Sequence, residues 1–203
     1  MNPDRDDNDL GVLRIAVSGH RGFIGRHLTE ALAAMGMPVV LFEGDIRRPE
    51  TWQGSFDCLF HLAAVMPGGF ASDPGSGYSV NIGGTLQALE ACKSRGARMV
   101  FASTCGVYDP AVFGKVAEDS PTAPQSAYAR SKLIGEDLCR SYAEFHGVSS
   151  CVLRLFNIYG PGQRPDFIIP YLLSCVMEGR TALIRHPDST RDFVFISDVV
   201  SAF

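Results

Sequence analysis

This 203-residue chain has no apolar run long enough to span a bilayer, so a transmembrane protein is set aside and no membrane partner is expected. Clustered basic residues are also missing: beyond Arg47–Arg48 no basic run occurs, and the formal net charge is −4. Phosphate backbones are bound by grouped Lys and Arg, so nucleic acid is not expected as the main partner. The six cysteines (58, 92, 105, 139, 151 and 175) form no CxxC and no Cys/His spacing suited to zinc. No metal is expected, and scattered free thiols that pack as small apolar groups suit a reduced, cytoplasmic protein. Internal repeats and low-complexity linkers are absent too. The opening MNPDRDDNDLG is acidic and polar, the reverse of a signal peptide, and residues 1–10 are expected to form a disordered tail.

What is present is material for one sizeable core, with 46% hydrophobic residues. Short apolar runs predict strands at Leu13–Ser18, Val39–Phe42, Cys58–Leu62, Arg98–Ala102 and Cys151–Phe156. Between them the spacing becomes helical, over Phe23–Met35, over Asn81–Arg95 with Leu86, Leu89 and Cys92 on one face, and over Ser126–His146. Strands of continuous apolar character alternating with helices predict an α/β fold, a doubly wound parallel sheet covered on both faces. The Gly/Pro-rich stretches Pro67–Gly77 and Tyr159–Pro165 read as functional loops.

Three glycines at a spacing of three (Gly19, Gly22, Gly25) lie in SGHRGFIG, between the first strand and the first helix. That is the setting of a dinucleotide-binding turn, where helix-start amides face a pyrophosphate. The spacing GxxGxxG differs from GxGxxG, and a plain strand–helix turn would use the same residues. Glu43 stands 18 residues after Gly25 at the end of the second strand. A carboxylate there accepts hydrogen bonds from an adenosine ribose and repels a 2′-phosphate, favouring NAD over NADP. Arg47 and Arg48 follow closely and could pair with that phosphate instead. Asp45 could contact the adenine edge or cap the next segment.

Tyr128 and Lys132, in YARSK, share one helical face. A lysine cation beside a phenol favours phenolate, so the pair is expected to bring the Tyr pKa down toward neutrality. Ser103–Thr104 closes the fourth strand at its carboxyl end, where open α/β sheets place ligands, although a Thr there is also an ordinary turn hydroxyl.

Together with HLAA (61–64), NIGGT (81–85), STCGVY (103–108), RLFNIYGPGQ (154–163) and RDFVFISD (191–198), these motifs resemble the extended short-chain dehydrogenase/reductases. Within that group they resemble the NAD-dependent epimerase/dehydratase family acting on nucleotide sugars. The resemblance implies a Rossmann-like cofactor domain over 11–157 and, over 158–203, the start of a substrate-binding part that is truncated relative to the family. It implies Thr104, Tyr128 and Lys132 as catalytic hydroxyl, acid/base and supporting lysine. The implied NAD surface comprises Gly19, Gly22, Phe23, Ile24, Gly25, Glu43, Asp45, Ile46, Leu62, Ala63, Ala64, Ser103, Tyr128 and Lys132. Thr104, Asn157 and Arg191 would meet the substrate, Arg191 through its diphosphate. Relatives dimerise through the two helices over 81–95 and 126–146, so a homodimer is expected.

Family dehydratases that remove water across carbons 4 and 6 carry Asp-Glu after the catalytic Thr; here Cys105 and Gly106 stand there and cannot supply that acid and base. Cys105 has no adjacent His to make it a nucleophile. The connection from Phe42 to Cys58 is short for the family, which predicts a trimmed adenosine side. These features leave an epimerase acting at carbon 4, a ketoreductase with the same site, or a dinucleotide-binding module without catalysis. In the last case the incomplete substrate half is the reason.

Overall fold

A computed structural model describes residues 13–112, 114–184 and 187–203, so the expected tail over 1–10 lies outside the described residues. Five strands, β1 (Ile15–Ser18), β2 (Val39–Phe42), β3 (Cys58–His61), β4 (Arg98–Thr104) and β5 (Ser150–Leu155), form one parallel sheet. Its order is β2-β1-β3-β4-β5, so the chain reverses direction of travel between β1 and β3, the place where open α/β sheets bind ligands. The short 43–57 connection contributes only a 3-10 turn (Pro49–Thr51) beyond β2, and β2 remains the sheet's edge.

Alternation along the central strands sends side chains to two separate cores. Ile15, Val17, Cys58 and Phe60 meet Leu28 and Leu32 of α1 (Phe23–Ala34) on one face. Ala16, Leu59, Met99 and Phe101 meet Ala88, Leu89, Cys92, Cys139 and Tyr142 on the other. Those last residues come from α4 (Gly84–Arg95) and α5 (Ala127–His146). Gly135 lets α5 approach β4, because a Cβ there would stand 2.5 Å from the Phe101 ring.

Three readings of the sequence are corrected. The stretch over 67–77 forms two short helices, α2 (Pro67–Ser72) and α3 (Pro74–Tyr78), each started by a proline whose missing N–H costs nothing there. The helix expected from Asn81 begins as a π turn, Ser79–Gly83, before α4. Leu86 is 36% exposed, and Thr85, Ala88, Leu89 and Cys92 carry the buried face instead.

Strand β6 (Asn157–Tyr159) pairs in parallel with β7 (Phe193–Phe195) in a second, two-stranded sheet. After α6 (Ile168–Met177), α7 (Ile196–Ala202) returns to α1. Val200 and Phe203 join the α1-side core, and the Phe203 ring lies 5.8 Å from that of Phe60. A helix this short is marginal alone, and burial of Ile196 and Val199 supports it here.

Candidate active site

The glycine turn separates what the fold needs from what a ligand would need. Gly19 has φ +78°, and a Cβ on it would lie 2.6 Å from the Ala63 nitrogen. A Cβ on Gly25 would lie 2.2 Å from the Gly19 carbonyl oxygen. Both glycines are demanded by the turn itself. Gly22 is under milder pressure: its φ is −74°, and its Cβ would lie 3.2 Å from the same oxygen. Gly22 caps α1 with no side-chain acceptor, leaving the first-turn amides of Phe23 and Ile24 for an anion. These residues fit a dinucleotide.

At the neighbouring strand end, Arg21 donates to Glu43 at 2.6 Å, and His20 Nε2 lies 3.6 Å from the same carboxylate. Arg21 went unnoticed in the sequence, although its place inside the glycine turn was the available signal. Asp45 is occupied by Arg47, whose Nε donates at 2.8 Å, and this hydrogen bonding brings its carboxyl down to about 2. Arg47 is thereby held within its own turn. Ile46 packs against Gly84, where a Cβ would meet it at 2.4 Å, which accounts for the second glycine of NIGGT.

Behind the turn runs a buried polar chain. Ser18 Oγ lies 2.8 Å from His61 Nδ1, and His61 Nε2 lies 3.2 Å from Thr85 Oγ1, which donates to the Asn81 carbonyl at 2.6 Å. The Asn81 side chain grips the backbone of Val65, accepting from its N–H at 2.7 Å and donating to its carbonyl at 3.1 Å. It also donates to Ser131, which donates to the Tyr128 carbonyl at 2.7 Å. HLAA and NIGGT thus lock Leu62, Ala63 and Ala64 beside Gly19. His61 is fully buried, and burial pushes its pKa down to about 3.

Thr104 ends β4 and Tyr128 and Lys132 lie on the first turns of α5, whose N-cap Ser126 accepts from the Ala129 N–H at 3.1 Å. The expectation for the Tyr–Lys pair is corrected. Burial, with a smaller contribution from Cys105, pushes Tyr128 up to about 12, and Lys132 is not among the causes. Lys132 is 4% exposed, its side chain makes no hydrogen bond among the described residues, and its ammonium lies 4.8 Å from the centre of the Phe101 ring. Burial brings its pKa down to about 8. The two side chains share a helical face, but the lysine turns toward the sheet.

One turn further along α5, Glu136 is buried and accepts from Ser103 at 2.5 Å and from Arg154 through Nε at 3.1 Å and Nη2 at 2.7 Å. Arg154 also lies 4.7 Å over the Tyr108 ring and donates to the Glu118 carbonyl at 2.9 Å. The Ser103 hydroxyl is therefore committed to α5. Glu136 stands four residues after Lys132 on α5, and its partner Arg154 comes from β5, 18 residues further along the chain.

Asn157 and Arg191 come together through β6–β7: the Asn157 amide donates to the Asp192 carbonyl at 3.1 Å, and Arg191 is exposed with Nη1 on the Thr190 carbonyl. Two cavities flank the start of α5. One, about 220 Å³, lies between α2 and Tyr128, with Phe70 6.2 Å from the tyrosine ring. The other, about 430 Å³, lies against Cys105, Gly106 and Ser126.

A glycine turn at the topological switch of a doubly wound parallel sheet defines a Rossmann-like dinucleotide-binding protein. The model of the NAD dependent epimerase/dehydratase family matches residues 15–203, and the chain belongs to that family. Over 93% of its length it is 31% identical to an uncharacterized UDP-glucose epimerase of Bacillus subtilis, covering 70% of that protein. It is 32% identical to a GDP-6-deoxy-D-mannose reductase of Pseudomonas aeruginosa, with 94% of this chain and 69% of that one matched. A UDP-glucuronate 4-epimerase of Arabidopsis thaliana is 29% identical over 93% of this chain, and there the chain spans only about half (52%) of the relative. Among solved structures, the UDP-glucose 4-epimerase of Thermotoga maritima superposes with a TM-score of 0.87 at 26% identity, over 94% of this chain and 72% of that one. The family is one of NAD-dependent enzymes.

Proposed function

We propose that the chain is a nucleotide-sugar epimerase acting at carbon 4, with Thr104, Tyr128 and Lys132 as its catalytic residues. The observation that carries this reading is Thr104 at the carboxyl end of β4 and Tyr128 and Lys132 at the start of α5, which packs on that strand, at the same end of the parallel sheet as the glycine turn. Gly22, Phe23 and Ile24 would hold the pyrophosphate, Glu43 the adenosine ribose, and Lys132 the nicotinamide ribose. Bound NAD supplies a two-electron acceptor for oxidation at the sugar carbon. Tyr128 rests as a protonated phenol and must lose its proton to act as base, which requires the Lys132 cation to swing from Phe101 toward it. Thr104 would orient the sugar hydroxyl, and Asn157 and Arg191 would meet the substrate, Arg191 as a planar fork for diphosphate oxygens.

Because the Lys132 cation is lost as pH rises through about 8, kcat/KM is expected to fall above that pH. Tyr128→Phe should reduce turnover of UDP- or GDP-sugars at least a hundredfold while NAD binding, followed by fluorescence titration, is retained. Unchanged turnover would overturn the assignment. The likeness to a GDP-6-deoxy-D-mannose reductase favours a second reading, a ketoreductase, which would consume NADH stoichiometrically where an epimerase would not.

We place the cofactor-binding unit over 11–157 joined by α7, with the segment between as the substrate side. We further propose a homodimer through α4 and α5, which expose Leu86 and Phe145, and a cytoplasmic location suited to six unpaired cysteines.

A further inference from the structure

We infer that Arg26 and His27 of α1 are positioning residues: they fasten the turn over 160–163 to the helix that opens the cofactor site, and so hold Asn157 and Arg191 in place for the substrate. This rests on the nucleotide-sugar reading above and adds to it two residues outside its catalytic and binding set. The stretch Tyr159–Pro165 reads from its sequence as a functional loop, and its hydrogen bonds show what it fastens.

Gly160-Pro161-Gly162-Gln163 makes a type II turn. Pro161 supplies the fixed φ of its second position, Gly162 has the φ of +76° that the third requires, and the Gln163 N–H donates to the Gly160 carbonyl at 3.3 Å. The two inner carbonyls meet neighbouring residues of α1. Arg26 Nη2 donates to the Gly162 carbonyl at 3.1 Å, and His27 Nε2 lies 2.9 Å from the Pro161 oxygen. A carbonyl only accepts, so Nε2 carries the proton. The His27 ring stands edge-on to that of Phe23 with centroids 5.3 Å apart, and Phe23 offers one of the amides left for the pyrophosphate. Arg26 lies in the first turn of α1, where the helix dipole disfavours a cation, so helix stability gives no reason for it.

From the turn the hold passes to β6. The Gln163 side chain donates to the Ile158 carbonyl at 2.6 Å, and a Cβ on Gly160 would lie 2.4 Å from Ile196, so glycine lets the turn close on the start of α7. Beside Ile158, Asn157 donates to the Asp192 carbonyl through its backbone N–H at 3.2 Å and its side-chain amide at 3.1 Å. Arg191 is the adjoining residue. Strands β6 and β7 have three residues each and stand outside the main sheet. A strand pair so short is marginal by itself and takes its position from what holds it. The apolar docking of α7 on α1 holds the β7 end, and Arg26 and His27 hold the β6 end. Both bonds are exposed and add little to folding stability. Preset contacts spare a ligand the entropy of ordering them, so their loss reads out as affinity.

The test compares the wild type with two double variants, Arg26→Ala with His27→Ala, and Arg26→Lys with His27→Gln, whose ammonium and amide can still donate to the two carbonyls. In the alanine pair, hydrogen exchange of the Gln163 amide, which closes the turn, should quicken at least about fivefold. In calorimetric titration of the NAD-loaded protein with UDP-glucose and GDP-mannose, the nucleotide sugar that the wild type accepts should bind at least about tenfold more weakly. NAD affinity should stay within about twofold and the urea midpoint almost unmoved. The Lys/Gln pair should bind the sugar within about threefold of the wild type. Unmoved exchange, unmoved sugar affinity, or an equal loss of sugar and NAD affinity overturns the inference and leaves the nucleotide-sugar reading standing. If the wild type binds none of UDP-glucose, GDP-mannose, UDP and GDP, that reading falls, and this inference with it.

Discussion

The five-stranded half and the α6 segment treat apolar side chains in opposite ways. Around the sheet, Ala16, Val17, Leu59, Leu89 and Val107 are entirely enclosed, and buried polar groups such as His61, Asn81 and Glu136 find partners within the chain. In α6 only Cys175 is buried, while Val176 and Met177 are 79% and 87% exposed. Leu173, Leu183 and Ile184 are exposed beside them. A region whose side chains interlock resists substitution, because each change leaves a cavity or an orphaned polar atom. A region whose apolar atoms stand in water has little of that to lose.

Substitutions should therefore grade steeply from one region to the other. The largest effect is expected from Glu136→Ala, which strands the Arg154 guanidinium and should cost about 3–5 kcal/mol by urea unfolding. Gly25→Ala comes next, since its Cβ would press into the Gly19 carbonyl, at about 3 kcal/mol. Gly22→Ala should leave the urea midpoint almost unmoved yet weaken NAD binding, which separates fold from ligand within one turn.

Acid gives a smaller, graded effect. His61 has a folded pKa of about 3 against an ordinary 6.5, so the unfolded chain takes up a proton first and stability falls as pH drops through 6.5 toward 3. Between pH 6.5 and 4.5 this amounts to on the order of 2 kcal/mol, measurable as a lowered Tm that His61→Gln should flatten. Val176→Lys with Met177→Gln on α6 should change stability by no more than about 0.5 kcal/mol. A larger loss there would erase the contrast.

The same contrast explains what could be read from the sequence. The strands, α1, α5 and the glycine turn were legible because period, cap and spacing are local properties, as with Ser126 before α5. The ionisation of Tyr128 and Lys132 was not, because it depends on burial that no spacing encodes, and the Lys132 ammonium settles over Phe101 of a distant strand. Arg154, Arg21 and the role of Asn81 escaped for the same reason: their partners are remote in the chain. The return of α7 onto α1 was hidden because a seven-residue helix carries too little pattern to announce its docking.

The buried chain from β1 to α5 also has a sense of travel. Thr85 spends its hydroxyl hydrogen on the Asn81 carbonyl, so toward His61 it can only accept. The ring must then carry its proton on Nε2, and Nδ1 takes the hydrogen of Ser18. Beyond Asn81, the amide donates to Ser131 and Ser131 to the Tyr128 carbonyl, in the same order. The relay is vectorial, each hydrogen aimed away from the glycine turn, so its bond dipoles add instead of cancelling. No single member can be reversed without reversing its neighbours, and one tautomer and one amide orientation are thereby imposed on the whole row.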